Sequence, residues 1–128
     1  MSILTRFIYS KRHFFPNGGV KPDAFMPGKA EVEISVLACV GMSADEIWAQ
    51  GRALRKPPLN VHGKAELPIP LLRELKLDAQ PTPEPPNPHN HYSLLGWPGG
   101  ELDRLAIAQE LAAISTPTRL PVPIPCTG

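Results

Sequence analysis

Aromatic side chains are scarce in this chain, at 6% of residues, and cysteine occurs only twice. Cys39 sits inside the apolar run Val36-Leu37-Ala38-Cys39-Val40, and Cys126 lies near the C-terminus. Neither belongs to a C-x-x-C pair, so no disulfide framework is expected and a reducing cytoplasm fits. No apolar run reaches the ~18 residues of a membrane span. The opening residues Met1-Ser2-Ile3-Leu4-Thr5-Arg6 lack the charged, apolar and small-residue regions of a secretory signal. The net charge is only +1, which by itself implies no partner. No internal repeat, carboxylate pair, Ser/His/Asp set or phosphate-binding glycine motif stands out. These absences exclude a membrane protein, a fibrous protein and a multidomain enzyme. The 128 residues suit one domain with one real core.

What is abundant is proline, 17 residues of 128, well above the usual ~5%. Hydrophobic residues at 42% and charged residues at 20% argue against wholesale disorder. Residues 3–9 are rich in β-branched and aromatic types and read as a strand. Residues 10–29 are dense in Pro and Gly, which predicts a long loop. Phe14, Phe15, Val20, Phe25 and Met26 give that loop enough apolar surface to lie against the core. Residues 31–40 begin in alternation and become continuously apolar, a strand half exposed at first and buried later.

Ser43-Ala44-Asp45-Glu46 matches a capping box and predicts a helix start. That helix is expected to run to about Lys56, where Pro57-Pro58 stop it. Its docking face is Ala44, Ile47, Trp48, Gly51 and Leu54. A strand over 59–67, a short helix opened by Pro70 and a strand beginning at Leu77 follow. Residues 79–91 hold five prolines and read as a stiff polyproline II connector. A short strand over 92–97 leads to Pro98-Gly99-Gly100, then to a helix from Glu101 to about Ser115. Only Asp103 and Glu110 form a clear polar stripe on it, which predicts burial on more than one side or covering by something else. In residues 120–125 every second residue is proline. Such a tail is either an outermost strand with its outer edge blocked, or a free polyproline II ligand.

Charge is uneven along the chain. Residues 1–30 hold five basic groups and one acid, Asp23. The constellation Lys11, Arg12, His13 and Lys21 is the candidate anion- or nucleic-acid-binding site. His89-Asn90-His91 places two histidines two apart, but a metal site needs further ligands, so no metal and no cofactor is expected. Trp97, Leu105, Leu120, Val122 and Ile124 are the candidate partner-binding residues, since exposed apolar area marks a contact surface.

Several spaced residues carry a resemblance. They are Arg6-x-x-x-Ser10-x-x-His13-Phe14, Val20-Lys21-Pro22-x-Ala24-Phe25-Met26-Pro27, Glu46-Ile47-Trp48, His91-x-x-Leu94-x-Gly96-Trp97-Pro98 and Ala108-Gln109-x-Leu111-Ala112. In this skeleton the chain resembles a group of small uncharacterised bacterial proteins. The resemblance implies a compact single-domain bacterial protein and carries over no functional residue.

The expected fold is a single compact α+β domain over residues 1–116, with a Pro-rich tail over 117–128. It has a small mixed or antiparallel sheet of about four to five strands, two main helices, one short helix and Pro-rich surface segments. The expected function is a small cytoplasmic accessory or protein-interaction protein, its partner another protein or a second copy, with no membrane and no evident catalytic constellation. The alternative is a nucleic-acid- or phosphate-binding factor, or an enzyme, using the basic N-terminal loop.

Overall fold

The computed structural model describes residues 2–28, 32–54 and 59–126. The strand start expected at Glu31 and the helix end expected at Lys56 lie outside them. Among the described residues six strands form one antiparallel sheet, rather than four to five. They are β1 (Ile3–Ile8), β2 (Ile34–Leu37), β3 (Asn60–Pro68), β4 (Asp78–Pro81), β5 (His91–Leu95) and β6 (Thr116–Pro125). Their order across the sheet is β4-β5-β2-β1-β3-β6. The helices are α1 (Ala44–Ala53), α2 (Ile69–Glu74) and α3 (Glu101–Ile114).

Successive strand residues point to opposite faces, so Phe7 and Ile8 feed different cores. On one face Leu4, Ile8, Val36, Ala65, Leu67 and Leu94 meet Leu72 of α2 and Ala108 and Leu111 of α3. The long N-terminal loop adds Phe14, Val20, Ala24 and Phe25 to this core. That loop is two 3₁₀ turns, Lys11–His13 and Pro22–Phe25, joined by a Phe14–Val20 bridge. On the other face Phe7, Leu37, Cys39, Val61 and Cys126 pack with Ile47, Trp48 and Leu54 of the α1 segment. Each fully buried Leu, Ile or Phe contributes about 1.5–3 kcal/mol.

The capping box forms. The Ser43 hydroxyl accepts from the Glu46 N–H, and the Ser43 N–H donates to the Glu46 carboxylate. It contributes ~1 kcal/mol to α1. In the last turn of α1, Gly51 lies against the sheet: a Cβ there would stand 2.5 Å from the Phe7 ring. The Tyr9 hydroxyl donates to the Gly51 carbonyl at 2.8 Å. The helix therefore approaches the sheet as closely as a residue without a side chain permits.

Two sequence expectations change, and of the two readings of the tail the outermost strand is the one observed. Residues 82–90 are not a connector but the closed loop of the β4–β5 hairpin, whose strands pair from Asp78–Leu95 to Pro81–Tyr92. The loop is held by Thr82 N–H to His91 O, Asn87 N–H to Glu84 O and the Asn87 side chain to Thr82 O. Helix α3 buries only Ala108 and Leu111, and Leu102 stays 81% exposed. Its alanines let it read as apolar all round while it packs on one side. The proline tail is folded in as β6, an edge strand on β3.

The proline spacing in β6 suits an edge. Prolines stand at 117, 121, 123 and 125, and Cys126 N–H bonds Leu59 O. Cys126 and, two residues back, Ile124 opposite Val61 therefore face β3 at this end, and Pro125 turns outward. Four residues of the strand lack an N–H, so β6 offers few donors for another strand to pair with.

Replacing Gly51 with Ala is expected to destabilise the fold by about 1–3 kcal/mol, because overpacking against Phe7 outweighs the gain in helix propensity. Urea denaturation measures it. An unchanged or raised midpoint would contradict the close contact.

Candidate functional site

Two interruptions of the sheet ladder each open a recess. The first lies between β1 and β2. These strands share one register pair, Thr5 with Leu37. Past that pair the ladder stops, and the Arg6 side chain reaches across, donating to Ser35 O at 2.8 Å and to Ala24 O at 3.1 Å. A cleft of about 410 Å³ opens there, walled by β1, β2, the end of α1 at Ala53 and Leu54, and the hairpin loop at Pro86, Asn87 and Pro88. His91 lines it as well.

His91 is held in a small polar cluster. Its Nδ1 is 2.7 Å from the Thr82 hydroxyl, which is 3.0 Å from the Ser93 hydroxyl. Burial holds its pKa below the ordinary histidine value, while Glu33 and the Thr82 backbone oppose that shift. Next to it Asn90 is buried and fully engaged. It exchanges hydrogen bonds with Gln50 of α1, at 2.7 and 2.9 Å, and donates to Ala38 O. These bonds tie the hairpin loop to α1 and to the chain after β2. The neighbouring His89 is exposed. Among the described residues no three His, Cys, Asp or Glu side chains gather as metal ligands would.

The second interruption lies between β3 and β6. Register runs Val61–Ile124 on one side and Gly63–Arg119 on the other. Strand β6 thus carries three more residues than β3 across that step, and it bulges. The bulge includes Pro121 and Pro123, which have no N–H to leave unpaired. A recess of about 330 Å³ forms beneath it, lined by Lys11, His62, Arg119, Leu120, Pro121 and Pro123. Burial lowers the His62 pKa, and the charges of Arg119 and Lys11 lower it further. None of the lining residues is acidic.

Of the predicted basic constellation, Lys11 faces this recess. Arg12 is exposed beside it. The Ser10 hydroxyl accepts from the Arg12 N–H and shapes the turn. Around His13 are Asp23, Arg6 and Lys21: burial lowers its pKa, Asp23 opposes, and Arg6 and Lys21 reinforce. Lys21 lies 5.5 Å above the Phe15 ring, and Arg119 lies 5.4 Å from the Phe14 ring. His62 and Arg119 were missed in the sequence because strand pairing, not proximity along the chain, brings them to Lys11.

The predicted partner residues are mostly engaged internally. Trp97 is buried, and its indole N–H donates to Leu94 O at 3.0 Å. Leu120 and Ile124 pack against the second core, and Leu105 is half-buried. Val122 is 72% exposed. No helix among the described residues is long and apolar enough to cross a membrane. Comparison of the chain with protein-family models, with curated proteins and with solved structures found no match.

Three histidines, His13, His62 and His91, have pKa values below 6.5 for the same leading reason, burial of the ring. The folded state therefore binds fewer protons than the unfolded chain just below that pH. Their contribution is fully present above 6.5 and is lost as pH falls through 6.5 toward the folded values. Thermal melts from about pH 8 to about pH 5 are expected to show Tm falling as pH drops below 6.5. A Tm that rises over that interval would contradict the burial of these rings.

Proposed function

We propose that the protein binds a phosphate-bearing polyanion, single-stranded nucleic acid, through the face around Lys11, His62 and Arg119. The observation that carries this reading is the convergence of those three groups on one recess whose lining has no acid. Cations in a partly enclosed recess attract phosphate more strongly than scattered surface charges do. Arg12 and Lys21 extend the basic surface, and Phe15, 44% exposed, offers a ring face beside Lys21. Cations interleaved with aromatic faces are what a single strand needs, phosphates on one and bases on the other. Lys11, Arg12, Lys21 and Arg119 make no ion pair with a described carboxylate, so a phosphate would displace no internal partner.

The accessory-protein reading has less support. It needs the last helix and the tail as a contact surface. Trp97, Leu120 and Ile124 use their apolar area inside the domain, and the prolines of β6 discourage strand addition.

Fluorescence anisotropy with a labelled single-stranded oligonucleotide tests the proposal. The double variant Lys11→Glu with Arg119→Glu should bind at least about tenfold more weakly. Its log–log salt slope should flatten by roughly 0.7 per lost phosphate contact. Arg73→Glu, an exposed change on α2, serves as the charge control. Equal losses in the control and the double variant, or no loss in either, would refute a dedicated face.

A further inference from the structure

We propose that the cleft between β1 and β2 is a second binding site, for a small flat molecule that donates one hydrogen bond, from an O–H or ring N–H, to His91. The inference is independent of the nucleic-acid reading. The cleft's volume, about 410 Å³, lies in the range of small-molecule sites. Its walls are mixed: Phe7, Pro86 and Pro88 supply apolar area suited to a ring, beside the polar side chains of Arg6, Ser35 and Asn87.

The polar group that gives the site its chemistry is fixed before any ligand arrives. Thr82 occupies Nδ1 of His91, Ser93 orients the Thr82 hydroxyl, and Asn87 holds the Thr82 carbonyl. The ring cannot turn without breaking this set. The chain from Nδ1 through the Thr82 hydroxyl to Ser93 runs outward from the ring when Nδ1 carries the proton, the Thr82 hydroxyl accepting it and donating on to Ser93. The lone pair is then on Nε2. His91 is 7% exposed, and its Nε2 has no hydrogen-bond partner among the described residues. Neither is it among the fully enclosed unpartnered atoms. An oriented acceptor on a residue that lines the cleft selects for a donor, because a ligand without one leaves the acceptor desolvated and unpaired.

Phenol and anisole form a matched pair for the test, equal in ring and unequal in donor. The full chain, labelled with ¹⁵N, is titrated with each while the imidazole nitrogens of His91 are followed by NMR. Phenol should bind saturably, shift the Nε2 signal more than Nδ1, and exceed anisole by about tenfold in affinity. His91→Phe should erase that preference. Leu54→Trp, which fills the cleft and leaves the Thr82–His91–Ser93 set intact, should abolish binding of both. Absence of saturable phenol binding, equal affinities, a preference that survives His91→Phe, or binding that survives Leu54→Trp would each overturn the proposal.

Discussion

A sheet can be interrupted only where the freed backbone groups find other partners, and this sheet is interrupted twice. Between β1 and β2 the guanidinium of Arg6 takes over, donating to the carbonyls of Ser35 and Ala24. A charged donor to a carbonyl is worth more than a neutral one, and here one side chain joins a strand, its neighbour and the second 3₁₀ turn. Between β3 and β6 the solution is different. Two of the bulged residues are prolines, so fewer N–H groups need partners.

The rest of the molecule is arranged around these two breaks. Strand β1 is near the centre of the sheet and feeds cores on both faces through Leu4, Phe7 and Ile8. Helix α1 rests on Phe7 at Gly51, so its last residues reach the rim of the first break. The β4–β5 loop closes the other rim, fastened through Asn90 to Gln50 and Ala38. The 3₁₀ turn at Lys11 and the bulge of β6 frame the second break. Both candidate sites therefore occupy places where sheet pairing stops and side chains from distant segments meet.

Much of the local structure was legible in the sequence. The capping box at Ser43 and Glu46 is read from four residues and forms as expected, because its bonds are local. The alternate prolines of the tail left two readings open, a blocked edge strand or a free polyproline II segment, and pairing with β3 decides for the strand. The apolar content of the N-terminal loop pointed to its packing on the core, where Phe14, Val20 and Phe25 are buried. What depends on register was not legible. The five prolines of residues 79–91 suggested an extended connector, whereas pairing of β4 with β5 bends them into a hairpin loop. Lys11 was visible as a candidate, but His62 and Arg119 reach it only through the β3–β6 pairing. Helix α3 misled because alanine is apolar by composition and yet tolerates exposure.

The bridging role of Arg6 is tested most directly by residue-resolved amide hydrogen exchange in the wild type and in Arg6→Met. The substitution keeps the apolar stem and removes the donors. Local loosening is the expected result, with faster exchange at Phe7, Ala24, Met26 and Ser35 and unchanged protection in β3, β6 and α3. Unchanged exchange at those four positions, or a uniform rise throughout the sheet, would show that Arg6 does not hold the break between β1 and β2.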